Sequence, residues 1–154
     1  MSSGELWAAL DILAFAEIGH ILFTVTTVEM NEGVARRVYT NHPKQYPVSG
    51  TKPIHRDEWF DIVHGQRRSF VANTIEDIAK VFPDHELINS LGCGSVLNLP
   101  IFLRNELVAT VNMLAEEQHY STERVAAAEA LLPIPASLCW ALAAEFDRTR
   151  KTPD

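Results

Sequence analysis

Cysteine is scarce: Cys93 and Cys139 are the only two in 154 residues, and they lie far apart. That excludes a disulfide framework and fits a reducing compartment. Basic residues are outnumbered, with 13 lysines and arginines against 20 acidic residues and a net charge of −7. Such a balance repels phosphate backbones and anionic lipid, so neither nucleic acid nor membrane is an expected partner. No apolar run is long enough to span a bilayer; the longest near the start is broken by Asp11, Glu17 and His20. The opening residues lack a basic segment and a small-residue cleavage pattern, and a cytoplasmic location is expected. Metal-ligand spacings are missing too. His20, His42, His55, His64, His85 and His119 form no H-x-H or H-x-x-x-H pair. His85 is the one placed to wall a pocket, or to ligate a haem or another metal there, and the sequence names no cofactor. No Ser-His-Asp or paired-carboxylate arrangement stands out by spacing.

What is present is ordinary globular material, 47% hydrophobic and 21% charged. A chain of this length buries roughly two-thirds of its unfolded surface and needs no metal or disulfide to fold. Residues 1–154 are read as one domain. Ser2 and Glu5 have capping-box spacing and Gly19 suits a helix stop, which predicts a helix over 3–18. Its apolar residues surround most of the circumference, so one side is expected to pack on the domain and the other on a second subunit. Leu6, Trp7 and Leu10, with Leu138, Leu142 and Phe146 of the last helix, are the candidate dimer contacts. Strands are predicted over 20–30 and 34–41 around an Asn-Glu-Gly turn, and residues 42–57 read as a loop or lid. Asp57, Thr74, Asp84 and Ser121 are candidate caps of three short helices and of a long final one over 121–150, which Pro133 and Pro135 must kink. Two strands, 95–103 and 107–115, precede that last helix. The order predicts an α+β fold with a mainly antiparallel sheet.

The last hairpin carries the sharpest expectation. A three-residue turn at 104–106 sets Leu103 against Leu107 and carries Asn98 onto Asn112. One face then holds Leu97, Leu99, Ile101, Leu103, Leu107, Ala109, Val111 and Met113, all apolar. The opposite face holds Val96, Asn98, Phe102, Val108, Thr110, Asn112 and Leu114. Two amides on an apolar face need partners, since a buried amide without them costs about 1–3 kcal/mol. Either they bond each other, a loop or water, or they line a cavity and hold a polar ligand group. Phe70, Asn73, Thr74, Ile78 and Phe82 are candidates for the other walls. Cys93, between two glycines, reads as an incidental turn cysteine with no base beside it.

The stretch from Ser69-Phe70-Val71-Ala72-Asn73-Thr74 through Val96-Leu97-Asn98-Leu99-Pro100-Ile101 and Leu107-Val108-Ala109-Thr110-Val111-Asn112-Met113 to Tyr120-Ser121-Thr122-Glu123-Arg124 resembles a GAF domain. The resemblance implies a central antiparallel sheet, with the N- and C-terminal helices on one face and short helices and loops forming a small-molecule pocket on the other. It also implies a regulatory sensor that dimerises through those helices. The cyclic-nucleotide signature Asn-Lys…Phe-Asp-Glu is absent, and Cys93 lacks the surroundings of a bilin attachment site. Free methionine-R-sulfoxide reductases are the enzymatic members of similar length. Residues 42–92 hold no cysteine, and the carboxylates those enzymes use fall at Val96, Asn112 and Leu114 here. The expected function is therefore a small-molecule-binding sensor that acts as a homodimer. With no output domain of its own, it would signal through a separate protein. A small redox enzyme on the same fold and a pure dimerisation module are the alternatives.

Overall fold

The computed structural model of the protein describes residues 1–150. Helix α1 (Ser3–Glu17) begins where the Ser2 hydroxyl accepts from the Glu5 amide, and Gly19, at φ +91°, turns the chain out of it. Strands β1 (Leu22–Glu29) and β2 (Val34–Thr40) follow as a hairpin, then the two-residue strand β3 (Lys52–Pro53). Asp57 caps α2 (Glu58–Phe60), which widens into a π turn over Asp61–Gly65, closed by the Gln66 amide on the Asp61 carbonyl. Next come β4 (Phe70–Ala72), α3 (Ile75–Ala79) capped by Thr74, and α4 (His85–Ser90). Strands β5 (Ser95–Leu103) and β6 (Glu106–Ala115) form the terminal hairpin. Ser121 caps α5 (Thr122–Leu131), and α6 (Pro133–Arg150) completes the fold. Proline has no amide to continue the helical ladder, and the axis bends by 44° between α5 and α6.

The sheet has six strands in the order β3-β2-β1-β6-β5-β4, antiparallel throughout, as the sequence pattern predicts. Helices α1, α5 and α6 cover one face. Trp7, Leu10 and Ala14 interlock there with Phe23, Val25, Leu97, Val111 and Met113. Each large side chain so buried contributes roughly 1.5–3 kcal/mol. The short elements cover part of the other face, where Ile78, Ile88, Cys93, Val96 and Leu114 form a second, smaller core. No single helix among the described residues is long and apolar enough to cross a membrane.

The terminal hairpin departs from expectation in an instructive way. Its turn has two residues: Leu103 faces Glu106, and Arg104 and Asn105 take φ of +53° and +63°. A bulge at Val108 then adds one residue to β6, which restores Ile101 opposite Ala109 and Asn98 opposite Asn112. Side chains alternate faces, so the extra residue exchanges its neighbours. Leu107 lines the cavity and Val108 joins the helix-side core, the reverse of the expected assignment.

The dimer candidates also divide. Leu6, Trp7 and Leu10 are 8%, 2% and 2% exposed and belong to the protein's own core. With Ala14 and Ile18 they follow the helical period and face the sheet. The large apolar residues that α1 turns outward are Ile12 and Phe15 instead. On α6, Leu138 and Leu142 are exposed beside Ile134, while Phe146 is half-buried against the core. α1 and α6 run antiparallel: Ser3 donates to Asp147 at 2.9 Å, and the Cys139 thiol approaches the Leu6 carbonyl.

Candidate ligand cavity

A cavity of about 390 Å³ lies between the sheet and the short elements. Its floor is the sheet face away from the terminal helices. There Leu22, Thr24, Thr26 and Val28 of β1 alternate with residues turned to the helices, beside Arg37 of β2, Asn98 of β5 and Asn112 of β6. Tyr46, Trp59, Phe60 and Phe82 supply aromatic walls, and the segment from Pro53 to Asp57 closes one side.

A chain of hydrogen bonds crosses the floor. Trp59 Nε1–H donates to Asn98 Oδ1 at 2.9 Å, and Asn98 Nδ2–H donates to Asn112 Oδ1 at 2.9 Å. Asn112 Nδ2–H is shared between the hydroxyls of Thr24 and Thr26, at 3.2 and 3.3 Å. Thr26 is the cross-strand partner of Arg37, so this polar belt runs over β5, β6, β1 and β2. The two explanations of the asparagines are thus both met: the amides bond each other, and they line a cavity. Around them the lining is mostly apolar, with Arg37, His55, Asp57 and Asp84 among it, the usual make-up of a small-molecule site.

Tyr46 closes the rim. It is buried, the Arg37 guanidinium lies 5.2 Å from its ring centroid, and its hydroxyl donates to Asp84. Burial, then the Asp84 hydrogen bond and charge, push the phenol well above its ordinary range, so it stays a donor. Asp84 starts α4 but makes no side-chain cap there, because its carboxylate is turned to Tyr46.

Of the residues proposed from sequence, Phe82, Asn98, Thr110 and Asn112 line the cavity. Phe70 and Ile78 pack in the small core beneath it, Phe70 edge-on to Phe82 at 5.9 Å. Asn73, Thr74 and His85 lie outside the lining. Asn73 donates to the Tyr120 carbonyl and accepts from the Tyr120 amide, tying the end of β4 to the start of α5. Thr74 spends its hydroxyl on the Asp77 amide as a cap, and His85 opens α4. The lining also holds Thr24, Thr26, Arg37, Tyr46 and Trp59, which the sequence reading does not reach. The alternation Leu22-x-Thr24-x-Thr26-x-Val28 carries a signal for the threonines; Tyr46 and Trp59 come from segments with no periodicity to read.

Two other groups bear on chemistry. Cys93 is buried below the short helices, and burial pushes its thiol up to about 11, so little thiolate exists near neutrality. On the helix side, Asp11 accepts from His20 Nε2–H at 2.6 Å and from the Tyr39 hydroxyl at 2.7 Å, bracing α1 against the turn that leads into β1 and against β2. No cluster of three histidine, cysteine or acidic side chains suited to a metal occurs among the described residues.

No family model matches the sequence, and no curated protein does. Solved structures do. The GAF domain of a two-component sensor histidine kinase from Bacillus halodurans superposes with TM-score 0.64 at 15% identity, over 95% of this chain and 94% of that one. A GAF domain/HD domain protein from Geobacter sulfurreducens gives 0.65 at 11% identity, over 100% and 98%. A type II free methionine-R-sulfoxide reductase from Thermoplasma acidophilum gives 0.60 at 16%, over 92% and 91%. The chain therefore has the fold of a GAF domain.

Proposed function

We propose that this protein is a sensory GAF domain that binds a small molecule in the sheet-face cavity and works as a homodimer. One observation carries the ligand half: an apolar cavity of about 390 Å³ whose floor bears an ordered belt of amide and hydroxyl groups. Pockets of this size and make-up suit small organic ligands. The dimer half rests on the outer faces of α1 and α6, which turn Ile12, Phe15, Ile134, Leu138 and Leu142 to solvent. A second copy would cover that apolar surface, and ligand occupancy would pass through the sheet to these helices and on to a separate signalling protein. The fold is shared with the reductase, but no cysteine lines the cavity and the buried Cys93 thiol is not activated, so binding is favoured over redox turnover.

Native mass spectrometry of freshly purified protein tests both halves. A dimer with a reproducible extra mass is the expected result. A monomer at every concentration would sink the dimer, and a chain left empty by a library of small metabolites would sink the ligand.

A further inference from the structure

Among the lysines and arginines whose exposure is described, Arg37 alone is partly buried; the others are exposed. It is also the one that lines the cavity, at the end of the polar belt. No carboxylate lies within ion-pair distance of it among the described residues. Its guanidinium is held in place on two sides, by the Tyr46 ring and by Nη1–H donating to the Pro47 carbonyl at 3.0 Å. Nε makes no hydrogen bond. A partly desolvated cation without a counter-charge is costly, and the cost falls when an anion enters beside it. Of the two acidic residues that line the cavity, Asp84 already accepts from Tyr46, and the exposed Asp57 spends its carboxylate on capping α2.

Resting on the small-molecule reading above, we infer that the ligand is an amphipathic carboxylate: an acid group paired with Arg37, on an apolar, ring-sized body held among Trp59, Phe60 and Phe82. With Nη1 engaged and Nε buried, Nη2 is the guanidinium nitrogen left to meet an acid group. The belt next to Arg37 offers hydroxyl groups to the same acid, and the aromatic walls take the body.

Three probes of nearly one shape test this: indole-3-propionate, its neutral primary amide, and tryptophan, which adds an ammonium to the acid. Binding is followed by titration calorimetry and by the resonances of the Trp59 indole N–H and the Asn98 and Asn112 side-chain amides. The acid is expected to shift those resonances and to bind at least about tenfold more tightly than the amide. In Arg37→Met the amide's affinity should hold and the preference for the acid should vanish; the wild-type comparison stands even if that variant folds poorly. Equal affinity for acid and amide would overturn the carboxylate assignment and leave a small-molecule site. Tighter binding of tryptophan than of the acid would bring Asp84 into recognition and overturn it in favour of a zwitterion. No binding by any probe at about 5 mM would overturn this inference, while the small-molecule reading would stand or fall by the metabolite library.

Discussion

Asn112 holds the centre of the belt, accepting from Asn98 and donating to Thr24 and Thr26. Asn112→Leu leaves the Asn98 amide and two hydroxyls short of a partner, which should cost about 1–3 kcal/mol in urea unfolding. The same change removes the polar group at mid-floor, so any bound mass seen for the wild type should fall away while the fold persists. Cys93 makes a different prediction. Its thiol titrates near 9.0 when unfolded and near 11 when folded. The stabilisation is therefore intact below pH 9 and is lost as pH rises from 9 to 11, by roughly 2–3 kcal/mol. Tyrosines 39, 46 and 120, also pushed up by burial, lose their share above pH 10 in either protein. Unfolding free energies at pH 8 and 10.5 should accordingly drop less in Cys93→Ala than in the wild type. At this scale the sequence showed the two asparagines because their spacing along the hairpin is regular. It could not show Arg37, since a doublet of arginines looks the same whether its second member points into solvent or under a tyrosine.

Elements were more legible than residues. Ser2, Asp57, Thr74 and Ser121 each cap the helix their position suggests, through bonds that span only three residues. Local chemistry of this kind is written in a short window. Asp84 escaped that logic because its partner, Tyr46, is 38 residues away. The bulge at Val108 escaped it too, since a two-residue turn plus one inserted residue and a three-residue turn reach the same Asn98–Asn112 pairing. That turn is also suboptimal: both central residues have positive φ, which Arg104 adopts poorly. Replacing Arg104-Asn105 by Asn-Gly should raise stability by about 1 kcal/mol in thermal or urea unfolding, with the cavity untouched.

Across the whole molecule, the sheet separates two jobs, packing of the terminal helices on one face and a cavity on the other. Which apolar residues of α1 serve the core and which serve the outer surface was not decidable from its sequence, because the helix is apolar nearly all round and only the sheet fixes its rotation. The structure makes the distinction testable. Leu138→Glu, on the outer face, should raise the dissociation constant of the proposed dimer by roughly a hundredfold, about 3 kcal/mol, and leave the monomer's melting curve nearly unchanged. Trp7→Glu should unfold the chain outright, since it places a charge in the central core. Sedimentation at several concentrations, paired with melting curves, separates the two outcomes. The closure at Tyr46 has a consequence in time as well as in space. One phenol hydrogen bond and one stacked guanidinium, on the order of 1–3 kcal/mol together, keep that loop against the rim. A latch this light opens often, and if passage waits on it, Tyr46→Phe should quicken ligand entry and exit alike, by roughly fivefold, at nearly constant affinity. Stopped-flow fluorescence of Trp59 would show it, and the residence time of a bound molecule would then be set by one hydroxyl on a wall residue, at the rim and away from the polar belt.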